Sequence, residues 1–167
     1  MQIKLGSKHQ QATIQGYTDQ GAWALTNPYV VDDMVAHVAV DYVCIAGHTA
    51  TATDEPGAGA NWEDFWEVLD STTDPFEMQY YSKGILHMPD TWDAADIGFQ
   101  VAEDADGPFL PLYDTAGNLE GFTPAVDRSY AFPSSVAGAK YVKLWSNNAG
   151  TDVEQTADRV FQLDFKA

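Results

Sequence analysis

Phe161-Gln162-Leu163-Asp164-Phe165 carries a large apolar side chain at every second position and a polar one between. A period of two is what a half-buried strand requires, because successive side chains point to opposite faces of a sheet. Two earlier stretches read the same way. Ile97, Phe99 and Val101 alternate with polar or small residues, and Val142 and Leu144 oppose Tyr141, Lys143 and Trp145. Turn-forming runs separate them at short spacing: Asp104-Ala105-Asp106-Gly107-Pro108, Thr115-Ala116-Gly117-Asn118, Ser134-Ser135-Val136-Ala137-Gly138 and Asn147-Asn148-Ala149-Gly150. Many short strands punctuated in this way, with no alternation of strands and helices, predict an all-β fold. Residues 76–167 are expected to form an antiparallel β-sandwich of jelly-roll type.

Upstream the pattern changes. Asp70-Ser71-Thr72-Thr73-Asp74-Pro75 collects turn-favouring residues and predicts a linker. Residues 23–69 predict a small aromatic-rich β module, broken by the loop at 49–59. The one candidate helix runs from Trp62 to Leu69, two turns at most, with Trp62, Phe65 or Trp66, and Leu69 on one face. Residues 1–22 are polar, contain Gly6, Gly16 and Gly21, and show no helical period. They predict an extended N-terminal arm or an early strand.

Composition narrows the functions. Across 167 residues, 45% hydrophobic and 13% aromatic content argues for a folded chain. Asp and Glu number 25 against 8 Lys and Arg, giving a net charge of −17. Such a chain repels phosphate backbones and anionic membranes, so nucleic acid is not an expected partner. The acids are scattered rather than gathered into a tail, as on a solvated surface. Cys44 is the sole cysteine, which excludes an intrachain disulfide and a cysteine zinc site; between Val43 and Ile45 it reads as a small buried apolar residue. No stretch approaches 18 apolar residues and the N-terminus lacks a signal-peptide pattern, so synthesis in a cytosol and no membrane insertion are expected.

Motifs for chemistry are sparse. His9, His37, His48 and His87 are dispersed, with no paired-histidine metalloprotease motif, nucleophile elbow or phosphate-cradling loop. Ser, Asp and His side chains could still meet in space, and a chance pair of carboxylates does not make a glycosidase. Asp104-Ala105-Asp106-Gly107 opens like a calcium loop, but the bidentate Glu that should follow is missing, and Asp-Gly is a common hairpin turn. The expectation is a protein that is not an enzyme and has no metal or other cofactor.

Two resemblances sharpen this. Trp23, the run Tyr29-Val30-Val31-Asp32-Asp33-Met34-Val35, the run Tyr42-Val43-Cys44-Ile45-Ala46-Gly47-His48-Thr49-Ala50, Glu55-Pro56-Gly57, Trp62 and Trp66 together resemble small carbohydrate-binding modules of the chitin-binding type 5/12 class, especially copies embedded in phage structural proteins. The resemblance implies rings of two kinds, some filling a small core and some stacking on a sugar. Trp23, Tyr42, His48, Trp62 and Trp66 are the glycan-binding candidates it yields. Gly47 and His48 stand where the family's stacking rings typically follow the tyrosine strand, and Trp23, Tyr42, Trp62 and Trp66 also read as core rings.

Further along, the run Trp92-Asp93-Ala94-Ala95-Asp96-Ile97-Gly98-Phe99-Gln100-Val101, the run Gly107-Pro108-Phe109-Leu110-Pro111-Leu112-Tyr113-Asp114, Tyr141-Val142-Lys143-Leu144-Trp145-Ser146 and Gln155-Thr156-Ala157-Asp158-Arg159-Val160-Phe161 resemble surface proteins of phage and gene-transfer-agent particles, of head-decoration, head-spike or fibre-base type. That resemblance implies a non-enzymatic component of a tailed-phage-type virion, exposed on the head, with capsid, spike or fibre proteins as partners. A homo-oligomer, a trimer by family analogy, is expected. Recognition of a host-surface glycan is the alternative, and hydrolysis of a polysaccharide a more distant one.

Overall fold

The computed structural model describes residues 8–38, 40–69 and 71–167. The strands run, in chain order, β1 (Lys8–Ile14), β2 (Thr18–Ala22), β3 (Pro28–Tyr29), β4 (Asp33–His37), β5 (Val40–Cys44), β6 (His48–Thr49), β7 (Trp66–Val68) and β8 (Phe76–Glu77). They continue as β9 (Lys83–His87), β10 (Asp96–Ala102), β11 (Leu110–Pro111), β12 (Gly121–Phe122), β13 (Ser129–Ala131), β14 (Tyr141–Asn148), β15 (Thr151–Asp152) and β16 (Arg159–Lys166). Among the described residues the helical segments are two 3-10 turns, at Trp62–Asp64 and Ser134–Gly138. The fold is all-β, and among the described residues no helix is long and apolar enough to cross a membrane.

The chain divides into two compact units, one made of Met1–Gln15 with Ser71–Ala167 and the other of Gly16–Asp70. The larger unit is an antiparallel β-sandwich. One sheet has the order β1-β16-β9-β13; the other has β11-β10-β14-β15, with β12 also on β10 and β8 on β14. The alternation of β16 is what joins them: Phe161, Leu163 and Phe165 are buried while Val160 and Gln162 are exposed. Facing them from the second sheet are Ile97, Phe99, Val142 and Leu144, and Phe76 stacks on Phe165 with ring centroids 5.6 Å apart.

Two departures from the alternating pattern have visible causes. Trp145 was expected on the polar side of its strand, yet it is buried. Its indole Nε1 donates to Asp152 on β15, and Gly98 on β10 leaves the ring space, since a Cβ there would lie 3.1 Å from Trp145 Cε3. The predicted linker at 70–75 is likewise part of the sandwich from Ser71 onward, Asp70 lying outside the described residues. Ser71, Thr72 and Thr73 are buried; Ser146 N donates to Ser71 O, Thr73 N to Leu144 O, and Leu144 N to Thr73 Oγ1. Short hydroxyl residues that favour turns in isolation here complete the edge of β14.

The N-terminal boundary is corrected too. Lys8–Ile14 pairs along its whole length with β16, from Lys8 opposite Phe165 to Ile14 opposite Arg159, so it belongs to the sandwich and not to an arm spanning 1–22. Thr18–Ala22 is instead the first strand of the small unit, running parallel to β4. Residues 1–7 of the expected arm lie outside the described residues.

The small unit is built on the sheet β2-β4-β5-β7, with β3 and β6 paired separately. The expected helix at 62–69 is a single 3-10 turn followed by β7, which pairs with β5 through Tyr42–Val68 and Cys44–Trp66. That register puts Trp66 and Cys44 on the same face as Tyr42 and Val35, where all four are buried. A helix would have turned only part of this ring set inward, and sheet pairing overrides the weak local preference of eight residues.

Candidate functional site

The five glycan candidates all lie in the small unit; Tyr42 and Trp66 are buried in its core cluster, and Trp23 and Trp62 pack against it. Trp66 is 1% exposed, and its ring meets Tyr29 edge-on at 5.1 Å and His48 edge-on at 5.2 Å. Tyr42 is buried, with Gly57 at φ +70° beneath its hydroxyl, a position any Cβ would block. His48 has only 7% of its side chain exposed and lies against Phe65 at 4.5 Å. Its Nδ1 donates to Ala46 O at 2.9 Å, which leaves Nε2 facing Asp54 Oδ1 at 3.9 Å, beyond hydrogen-bond reach. Asp54 is occupied instead by Thr51, accepting from its N and its Oγ1.

Trp23 and Trp62 are half-buried. Trp23 stands edge-on to His37 at 5.4 Å, and Trp62 edge-on to Tyr42 at 5.7 Å. A sugar stacks on the open face of a ring, whereas T-shaped pairs turn ring edges and faces toward one another. The arrangement therefore uses these rings first to close a small core. Trp23 Nε1, Trp66 Nε1 and His48 Nε2 are buried without a hydrogen-bond partner among the described residues, a set of costs typical of rings chosen for bulk.

A second cluster, which local sequence patterns do not reveal, spans four strands on the outer face of the β1-β16-β9-β13 sheet. Ser129 Oγ and His87 Nδ1 are 2.7 Å apart, His87 Nε2 and Asp164 Oδ2 are 3.1 Å apart, and His9 Nδ1 meets Asp164 Oδ1. Both histidines hold the Asp164 carboxyl below the usual carboxylate range, His87 most strongly. Ionised Asp164 only accepts, so His87 donates to it from Nε2, and its Nδ1 shares a hydrogen bond with the Ser129 hydroxyl. Serine, histidine and aspartate thus do meet, in the order a nucleophile relay uses. They lie on pleated sheet surface, where strand N–H groups pair sideways with neighbouring strands and do not converge on one oxyanion.

The third cluster is internal to the sandwich. Arg159, with 8% of its side chain exposed, donates to Asp93 Oδ2 at 2.9 Å, to Thr91 Oγ1 at 2.8 Å and to Gln155 Oε1 at 3.2 Å. Asp93 Oδ2 also accepts from Thr156 N at 2.6 Å and from Thr156 Oγ1 at 2.9 Å. The Thr156 backbone N–H, followed by Arg159 and the Thr156 hydroxyl, holds the Asp93 carboxyl below its ordinary range. Arg159 thus ties Thr91, Asp93, Gln155 and Thr156 to the start of β16.

The calcium-like run Asp104–Gly107 is a turn closed by Gly107 N donating to Asp104 O, with Lys140 Nζ 3.9 Å from Asp104 Oδ1. Among the described residues no three His, Cys, Asp or Glu side chains converge as a metal site.

No family model matches the chain, and no curated protein matches it. Among solved structures it is similar to the crystal structure of the SPBc2 prophage-derived protein YomS, with 11% sequence identity, 99% of this chain and 98% of that chain covered, and a TM-score of 0.39.

Proposed function

We propose that this chain is a non-enzymatic structural component of a tailed-phage-type particle, exposed on the head and held there by its surfaces. The observation that carries this reading is the distribution of exposed apolar side chains. Leu25, Val30, Val31, Val38, Val40, Ile45 and Val68, all large and aliphatic, are exposed on the small unit. Two groups can be traced. Asp32 N donates to Cys44 O, which sets Val30 and Val31 beside Ile45, and the β5–β7 pairing sets Val68 diagonal to Val40. We read these two groups as parts of a contact surface, since contiguous exposed aliphatic patches are where proteins meet partners. The resemblance of both segments to particle proteins supports the same reading, and capsid, spike or fibre proteins are the partners it names.

A symmetric particle would use the chain as a homo-oligomer, with a trimer the first state to test. The glycan-binding alternative, through Trp23 and Trp62 with Tyr42, His48 and Trp66 behind them, needs the half-buried indoles to turn an open face to solvent. Rebinding separates the two. Particles stripped of the chain are mixed with purified protein and sedimented; the native chain co-sediments, and Val30→Asp/Val31→Asp lowers its bound fraction at least tenfold while Trp23→Ala binds as native. Loss with Trp23→Ala alone, together with release of the native chain by soluble chitin oligosaccharide, moves the glycan reading to the front.

A further inference from the structure

The basic residues of this chain are not spread evenly. Gly16–Asp70, the small unit, contains no Lys or Arg, and Asp19, Asp32, Glu63, Asp64 and Glu67 are exposed on it. The sheet β1-β16-β9-β13 is the reverse: its strands hold Lys8, Lys83, Arg159 and Lys166, with His9 and His87, against Asp164 as their one acid. Arg159 is paired internally with Asp93, whereas Lys83 and Lys166 are exposed and directly opposite each other in register. Like charges so placed repel. Neither ammonium has a carboxylate within ion-pair distance among the described residues, since Asp164 is engaged on both oxygens by His9 and His87.

Beside the lysines, on β1, β16 and β9, lies a hollow of about 300 Å³ walled almost wholly by carbon. Ile85, 37% exposed, is part of it, and the aliphatic stems of Lys83 and Lys166 flank it, so that charge stands at its rim and not inside. A small hydrophilic ligand gains little from such walls, whereas an aliphatic side chain gains by leaving water. The small unit presents that complement. Val30, Val31 and Ile45 stand together and exposed; Asp32 adjoins them in the chain, and Asp64 precedes the Phe65 whose carbonyl accepts from Ile45 N. One surface is an apolar hollow with a cationic rim, and the other an aliphatic knob with an anionic one.

We infer that these two surfaces meet between copies of the chain: Val30, Val31 and Ile45 of one copy enter the hollow of the next, and Asp32 and Asp64 lie against Lys83 and Lys166. The inference rests on the reading of Val30, Val31 and Ile45 as a contact surface and names its partner, a second copy. Because unlike surfaces meet, the contact is heterologous. Each copy keeps a knob or a hollow for a further neighbour, which gives a closed ring, such as a trimer, where the rotation closes and an open row where it does not. Carboxylates between the lysines also relieve the repulsion that the single chain carries.

The test is sedimentation velocity on the full chain, without particles, over a range of concentration and salt. The native chain is expected to associate as its concentration rises and to dissociate as salt is raised. Lys83→Glu/Lys166→Glu and Asp32→Asn/Asp64→Lys are each expected to weaken association at least tenfold. Mixed in equal amounts, the two variants are expected to associate again, since each keeps the surface that the other lacks. That rescue requires folded chains and an interface between unlike surfaces. A native chain that stays monomeric, either variant associating as the native chain does, or a mixture that stays monomeric overturns the inference. A chain that is monomeric in solution yet rebinds stripped particles overturns this inference and leaves the particle reading standing; association without rebinding does the reverse.

Discussion

The two units solve the same problem with different side chains. The sandwich buries aliphatic residues and phenylalanines and routes several of its buried polar groups into a connected network, Arg159 to Asp93, Thr91 and Gln155, and Gln155 Nε2 on to Ser146, with Gln10 Oε1 left unpaired. The small unit, about half as long, fills its core with Tyr29, Tyr42 and Trp66 and leaves ring nitrogens of Trp23, His48 and Trp66 unpaired. A short chain has too little interior for aliphatic residues to suffice, and a single indole buries as much surface as two or three small side chains. The lesson for function is that aromatic richness in a small β module is first a packing solution, and that binding has to be argued from faces left open.

The largest expected effect tests whether the two cores are separate, since they share no buried residue. Trp66→Ala should cost the small unit about 3–5 kcal/mol. Hydrogen exchange should then show lost protection at β4, β5 and β7 while β10, β14 and β16 keep theirs. Loss of protection in both would break the comparison.

A middle-sized effect probes the sandwich network. Asp93→Asn should cost about 2 kcal/mol, because Arg159 loses its charged partner while staying buried. Since the folded Asp93 carboxyl is held below its ordinary range, its contribution is present above the unfolded value of about 3.9 and is lost as pH falls through the folded value. Chemical denaturation from pH 6 down to pH 2 should therefore show a steeper acid loss in the native chain than in Asp93→Asn. Parallel curves would contradict the assignment.

The smallest effect concerns Cys44. Burial pushes its thiol above the ordinary range, with a smaller lowering contribution from the Ala46 backbone as second cause and Asp33 and Asp32 raising it further. At pH 8 the folded chain should label with a thiol reagent at least a hundredfold more slowly than the denatured chain, and Cys44→Ala should cost about 1 kcal/mol. Fast labelling would mean that the ring core opens readily.

How much of this was legible depended on whether the determining contacts were local. The strands around Ile97, Val142 and Phe161 were readable because one face of each meets the core, which writes a period of two into the sequence. Lys8–Ile14 was not, because Lys8, His9, Gln10 and Gln11 give no apolar alternation, and pairing with residues more than 140 positions away makes them a strand. Ser71–Thr73 read as a linker for the same reason, their partners being on β14. Among the candidate site residues, the rings of Trp66 and Tyr42 were visible as core, but their sheet register was not. The row formed by His9, Asp164, His87 and Ser129, and the facing of Lys83 with Lys166, follow from sheet order alone and have no local signature.

The measurement that bears most directly on the central claim is quantitative mass spectrometry of sedimented particles from a producing culture. The account predicts the chain in the particle fraction at a fixed copy number, in the hundreds for a decoration protein and from a few to a few dozen for a spike or fibre part. Its absence from purified particles, with the chain free in the supernatant, would contradict the account.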